Sequence, residues 1–379
     1  MHYKKSSKEY ILSILYYLAI LSVLVYMLSV SSKVTPIINN QSQPAVQYNW
    51  DQILNSIFEK RNNLLINGNS DELKAMYMPN ERNSTWALEL EISRVDYLKD
   101  WAARQGIQFT GINSTIVIKR TKKVGRGYAF YFVVSTTYTY AYKDQPDKEN
   151  FFRVGTYHSL DLIPGNSDSC WLISREWYLD PFQDSFVQDD AENIKFNEFV
   201  LSQTERLFPD LSEQRKKAVA YADRYAGAAS DGQFGYDYNK EYPNFFGWGG
   251  DCSNYVSQAL HESGFKRAGG WNYEKDAASR SWCNASGLEN YLVWSGRANV
   301  IAQGTFNEVY KAAYELIPGD VIGYVKKGRV DHMVIVTGTD SKGYPLINSH
   351  STDRYHVPWD LGWNEPGIKF ILLRVNYPS

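Results

Sequence analysis

Cysteine is scarce in this chain: among 379 residues only Cys170, Cys252 and Cys283 occur. So sparse and odd a set excludes a fold stapled by disulfides and leaves at least one thiol free. Cys170 and Cys283 could pair with each other, but two independent buried thiols are the simpler expectation. No Cys and His spacing suits zinc, so neither a metal nor a cofactor is expected. An excess of charge is missing too, since 40 Lys plus Arg face 42 Asp plus Glu, a formal charge of −2. Without a basic field to grip phosphates, nucleic acid is not an expected partner. At 22% charged and 15% aromatic residues, the composition excludes a disordered chain and supports packed cores.

One absence is local. From Tyr10 to Val30 there is no charge, no Gly and no Pro, and about 20 apolar residues suffice for a helix to cross a bilayer. Residues 1–32 are therefore expected to be a cytoplasmic tip and transmembrane anchor, with 33–49, rich in Ser, Asn, Gln and Pro, as a tether. Ser29 and Ser31 leave a cleaved signal peptide open as the alternative. Lys4, Lys5 and Lys8 before the span, against Lys33 after it, keep the N-terminus inside. The rest of the chain is expected outside a cell membrane that it crosses once, or secreted if the segment is cleaved.

Beyond the tether the chain has the pattern of an α+β protein. Ile53, Leu54, Ile57, Phe58, Leu64 and Leu65 mark one amphipathic helix and Asp71 to Met78 a short second. A third begins near Asn83 or Ser84 and carries Trp86, Leu90, Tyr97 and Trp101 along one face. After Gly106 the period changes to two, with strands around 110–119, 128–142, 151–163 and 171–178. Three helices followed by four antiparallel strands predict a curved sheet wrapped on a long helix over residues 50–183. That order resembles the cone-shaped domains of the nuclear-transport-factor-like type, for which a scaffold or partner-binding role is expected. His158 is read as a structural histidine. Asp180-Pro181 closes the region, 184–211 is an acidic connector, and Ser212 caps a helix running to about Ala229.

The chemistry lies beyond residue 240. Gly249-Gly250-Asp251-Cys252 followed by Ser253 to Leu260 puts a cysteine at the first turn of a helix, where the dipole and a nearby imidazolium can lower a thiol pKa. Asp331-His332-Met333-Val334-Ile335-Val336 is a strand starting on a histidine, and Thr339 to Gly343 turns it into Tyr344 to His350. If residue 338 faces 344, His350 stands beside His332; a slip of two puts Asn348 there instead. Either residue could orient the imidazole, the role of the third member in a Cys-His site. Asp331 points to the other face of its strand, and Asp320 and Asp353 are expected in turns and local salt bridges. Oxyanion donors are sought in the Cys252 backbone N–H and in Tyr242, Asn244 or Trp248. Trp248, Trp271, Tyr273, Trp282 and Trp363 are candidate groove walls, although core packing claims most tryptophans. Cys283 is read as packing.

These segments, with Pro318-Gly319-Asp320-Val321-Ile322 and His350-Ser351-Thr352-Asp353-Arg354, resemble the putative amidase domain of Gram-positive bacteria, over about Glu213 to Tyr377. The family is similar to the papain-like cysteine hydrolases. The resemblance implies a helix carrying Cys252 packed on an antiparallel sheet carrying His332, in a domain over 212–379. It also implies a nucleophile at Cys252, a general base at His332 and a polar third residue at His350. Ser253 stands where the commoner family sequence has Thr. Placed outside the membrane, such a hydrolase is expected to cleave amide bonds of cell-wall peptidoglycan, a glycopeptide substrate. A non-catalytic wall- or protein-binding module on the same fold, or an acyl transferase, are the alternatives.

Overall fold

The computed structural model describes residues 48–68, 70–166, 170–185, 193–245, 250–275 and 277–378. No helix among the described residues is long and apolar enough to cross a membrane; the expected span at 10–30 and nearly all of the tether lie outside them. Helix α1 (Trp50–Asn67) starts where the Asn49 side chain accepts the Gln52 N–H at 3.1 Å, and it ends at Gly68 in the left-handed region. Its buried stripe is Leu54, Ile57, Phe58, Leu64 and Leu65. A short α2 (Ser70–Lys74) leads to α3 (Arg82–Gln105). This helix begins at Arg82, ahead of the expected Asn83 or Ser84, and Ser84 Oγ is buried, donating instead to the Ile173 carbonyl at 2.7 Å. Trp86 is a correction: it is 53% exposed, under the Arg82 guanidinium, because the buried face runs through Ala87, Glu91, Val95, Leu98 and Trp101.

Strands β1 (Ile107–Val124), β2 (Gly127–Tyr142), β3 (Gln145–Pro164) and β4 (Trp171–Trp177) come next, all antiparallel as their alternation predicts. Beneath them lies a buried polar cluster. Arg61 pairs with Glu176, and Glu176 also takes His158 Nδ1 at 2.7 Å while His158 Nε2 meets Thr156 Oγ1 at 2.7 Å. His158 is thus a satisfied core residue.

After α4 (Asn193–Ser202), Ser212 caps α5 (Glu213–Arg224), which stops short of the expected Ala229 and passes into a single 3-10 turn at Gly227–Ala229. Next come α6 (Cys252–Glu262), the two-residue strands β5 (Tyr273–Glu274) and β6 (Ala277–Ala278), and α7 (Ala285–Trp294). The remaining strands are β7 (Ala298–Gly304), β8 (Val321–Lys326), β9 (Arg329–Thr339), β10 (Pro345–Ser349), β11 (Asp353–Pro358) and β12 (Lys369–Val375). All but β5 and β6 join one sheet of ten strands, in the order β1-β2-β3-β11-β10-β9-β8-β12-β7 with β4 also on β3.

Residues 49–379 are a single compact unit, and the regions expected as separate domains, 50–183 and 212–379, share backbone hydrogen bonds. β3 forks: its Arg153–Gly155 stretch pairs with β11, and Ser159–Pro164 pairs with β4. The 227–229 turn crosses the fork over Gly155, where a Cβ would lie 2.3 Å from the Ala228 carbonyl carbon. Only glycine allows that approach. One core lies on the face with α1 and α3 and includes Tyr324, Val334, Val336 and Trp359. The other lies under α5, α6 and α7 and includes Val321, Met333 and Ile335. All three cysteines are free; Cys170 is exposed and Cys283 half-buried, so neither matches the expectation of a fully buried thiol.

Gly155→Val is expected to lower the stability of residues 49–379 by about 1–3 kcal/mol or more through overpacking at the fork. Gly111→Ala, whose Cβ would meet only the Thr139 side chain at 3.8 Å, should change it far less. Urea midpoints of the two variants check this.

Candidate active site

Gly250 has φ +125°, a backbone setting that L side chains rarely adopt, and it delivers the chain into α6. Cys252 is the first residue of that helix and is 8% exposed. β10 pairs with β9 only as far as Asn348 opposite Ile335. Two residues beyond that point the Met333 N–H donates to Cys252 Sγ, and Ser253 Oγ lies 3.7 Å from the sulfur. Burial pushes the thiol up from its ordinary value, against the pull of the Met333 and Ser253 donors. The lowered thiol pKa expected at a helix start is therefore not found, because desolvation outweighs dipole and donors.

His332 follows the pleat of β9 to the opposite face. Its pair partner Tyr324 stacks on it at 5.9 Å and Trp363 at 5.0 Å, whereas α6 packs against the face carrying Met333 and Ile335. Its imidazole makes no hydrogen bond to Cys252, and its Nε2 is buried without any partner. Burial, the Arg354 charge and the nearby His350 pull its pKa down to about 3. The thiol and the imidazole are thus both neutral at neutral pH, and the backbone N–H that reaches the sulfur belongs to the residue after His332.

His350 does not orient His332. A bulge between Leu346 and Ile347 shifts the hairpin register by one, from Leu346 opposite Gly338 to Ile347 opposite Val336. A one-residue slip turns side chains to the other face, and His350 emerges on the α6 side. There it stacks between Tyr238 at 4.1 Å and Tyr255 at 4.0 Å. Its Nδ1 meets Asp251 Oδ2 at 2.8 Å and its Nε2 meets the Tyr225 carbonyl at 2.6 Å. Facing a carboxylate and a carbonyl, both nitrogens donate, so the ring is a buried cation. Burial alone would lower its pKa, but Asp251, Asp353 and the Tyr225 carbonyl raise it overall. Asn348 is no orienter either: it accepts from Thr337 Oγ1 (3.0 Å) and the His356 N–H (2.7 Å) and donates to Asp223 (2.9 Å).

Asp251 carries more than its place before a helix suggests. Aspartate before a helix commonly caps it, but Asp251 makes no side-chain bond to the helix backbone. It accepts instead from the Phe245 N–H (3.0 Å), Asn254 Nδ2 (2.8 Å) and His350, while its own N–H donates to Ser351 Oγ at 2.6 Å. A GGDC run followed by a distant histidine in a turn is the only signal for such a pair.

The other expectations divide. Tyr242 OH bonds Glu262, at the far end of α6 and about 15 Å along the helix from Cys252, which removes it as an oxyanion donor. Asn244 lines a cleft together with residues of β2, β3 and β4. Trp248 lies outside the described residues. The Cys252 N–H sits in the first helical turn, where no acceptor within the helix is available. Trp271 and Trp282 are fully buried and bond Ser257 and Asn254, so they are core and not groove walls. Trp363 is half-buried against His332, and Tyr273 packs on Trp282. Asp331 is exposed beside Arg329. Asp320 is buried between Arg215 and Arg374, and Asp353 accepts from the Ala228 N–H and Tyr238 OH, structural roles in both cases.

Residues 212–373 match the profile of the family described as "Putative amidase domain", which points to hydrolysis of an amide bond. The uncharacterized protein YhbB of Bacillus subtilis (strain 168) is 30% identical over 172 residues, 42% of this chain and 50% of that protein. The chain thus spans about half the length of the curated relative it matches. No solved structure matches the chain.

The raised pKa of His350 fixes the sign of a pH effect. Its pairing contributes stability fully below the ordinary histidine value near 6.5 and loses it as pH climbs through the raised folded value. The stability gap between wild type and His350→Gln should therefore be widest near pH 6 and narrow toward pH 9, read from urea midpoints at fixed ionic strength.

Proposed function

We propose that this protein is a membrane-anchored cysteine hydrolase that cleaves amide bonds of peptidoglycan outside the cell, as an amidase or endopeptidase. The observation that carries the reading is the contact of Cys252 Sγ with the Met333 N–H, beside a histidine whose Nε2 is buried without a partner, inside the segment that matches the amidase profile. A buried, unsatisfied imidazole nitrogen is costly in a purely structural role and is common where a group awaits substrate. The anchor rests on the uncharged stretch from Tyr10 to Val30.

The reaction starts from a neutral pair. In this reading the start of β9 turns on substrate binding, so that the His332 imidazole leaves its stack on Tyr324 and Trp363 and reaches the thiol from the other face, a contact absent at rest. The sulfur attacks the carbonyl carbon as its proton passes to the imidazole, and an S–C bond forms. The imidazolium gives that proton to the leaving amine and the C–N bond breaks, leaving a thioester on Cys252. Water then attacks, its proton goes to His332, the thiol is restored and a carboxylic acid leaves. The Cys252 N–H, at the positive end of α6, is the candidate donor to the oxyanion.

The missing bond between Cys252 and His332 favours one second reading, a wall-binding module on a hydrolase fold without turnover. Incubating the protein with peptidoglycan separates the two. Wild type should release new amines detectable by mass spectrometry, Cys252→Ala none, and His332→Ala about 10²-fold less or lower still; equal release from wild type and Cys252→Ala would sink the enzyme reading.

Because the resting thiol is protonated, its alkylation by iodoacetamide should climb continuously from pH 6 to pH 9. A plateau reached below pH 7 would instead reveal a preformed thiolate–imidazolium pair.

A further inference from the structure

The first half of the chain has no assigned role, yet it builds one wall of a cleft on the face of the sheet that carries α6. Tyr131 on β2 and Trp177 on β4 are both paired to Ser159 on β3, so a small residue lies between two aromatic ones in a row across three strands. Trp177 is 67% exposed, Leu179 50% and Tyr131 47%. With Tyr157 they face Tyr238, Asn244 and Thr352 from the second half across a cleft of about 560 Å³.

That far wall is tied to the nucleophile three times over. Tyr238 stacks on His350, which bonds Asp251. Asn244 precedes Phe245, whose N–H bonds Asp251, and Thr352 follows Ser351, which accepts the Asp251 N–H. Asp251 is the residue before Cys252. Among the described residues the lining holds no Lys, Arg or His. The one carboxylate among its described lining residues, Asp353, is buried and already accepts from Tyr157, Tyr238 and the Ala228 N–H.

We infer that this cleft binds the glycan strand of the substrate, so that residues 50–183 serve as a polysaccharide platform beside the site. The inference rests on the proposed function and names the part of its substrate that is held. A lining without exposed charge, with exposed ring faces and hydroxyl edges, suits pyranose rings, which pair apolar faces with hydroxyl and amide rims. A stem peptide, with its carboxylates and amines, finds no counter-charge there.

The test is titration of the full chain carrying Cys252→Ala with a β-1,4-linked N-acetylglucosamine tetramer, followed by calorimetry and tryptophan fluorescence. Saturable binding is expected, weakened about tenfold by Trp177→Ala and less by Trp177→Phe, with unchanged circular dichroism. No saturable binding, binding unaffected by Trp177→Ala, or tighter binding of a free stem peptide than of the tetramer would overturn it. Loss of tetramer binding while wild type still releases amines from peptidoglycan refutes the platform alone. Tetramer binding alongside a wild type that releases no amines from peptidoglycan refutes the hydrolase alone.

Discussion

A buried carboxylate must collect donors or cost more than the fold can bear, and in this structure that requirement falls on Asp251. Its partners come from three separate stretches: the loop at Phe245, the first turn of α6 at Asn254, and the turn after β10 at His350. Satisfying one side chain therefore locks together the helix that carries the thiol and the hairpin beside it. The position of Cys252, next in sequence, results from that lock. The cation drawn in to balance Asp251 has a second effect, since His350 and Arg354 both act against a further positive charge on His332. Burial is the main reason that the neighbouring imidazole stays neutral, and the ion pair that fixes the position of the thiol adds to it through His350.

The second organising constraint is the fork in β3. One long strand hydrogen-bonds to β2 along its length and divides its other edge between β11 and β4. Joining the halves through backbone pairing gives a stiffer connection than side-chain docking, because a ladder fixes register as well as proximity. Gly155 is the local condition for it, letting the 227–229 turn lie on the strand. The apposition of Tyr131 and Trp177 with Tyr238 depends on that rigidity.

Local patterns in the sequence are legible where a single period rules. The change from a period near 3.6 to one of two at Gly106 marks the passage from α3 to β1, and the Ser212 cap places the start of α5. Trp86, expected on a packed face and found exposed, sits on a helix whose buried stripe includes Glu91, a charged residue that no hydrophobic pattern would select. Long-range pairing leaves no trace in the sequence. β3 and β11 lie some two hundred positions apart, and nothing in either names the other. The site departs from expectation at a finer grain. The hairpin stands where its turn chemistry puts it, but the bulge at Leu346 and Ile347 shifts the register by one, which makes His350 a partner of Asp251 and not of His332. Residue types at the site are readable; which face each one occupies depends on a single extra residue.

The neutral state of the thiol fits the place proposed for it better than a preformed ion pair would. Thiolates, not thiols, are the species that oxidants and stray electrophiles attack, and susceptibility follows thiolate character and exposure. Outside the cell there is no glutathione pool to reverse that damage. Cys252, 8% exposed and with its thiol pKa pushed up by burial, is protected on both counts. The cost is that activation must come from substrate. In the proposed reaction, occupancy of the site excludes water and brings up a polarised carbonyl, so proton transfer to His332 becomes favourable only when there is something to attack. Under the proposed reading, the separation of Cys252 from His332 at rest is a condition of survival for an external cysteine enzyme, with turnover limited by how often the substrate closes that gap.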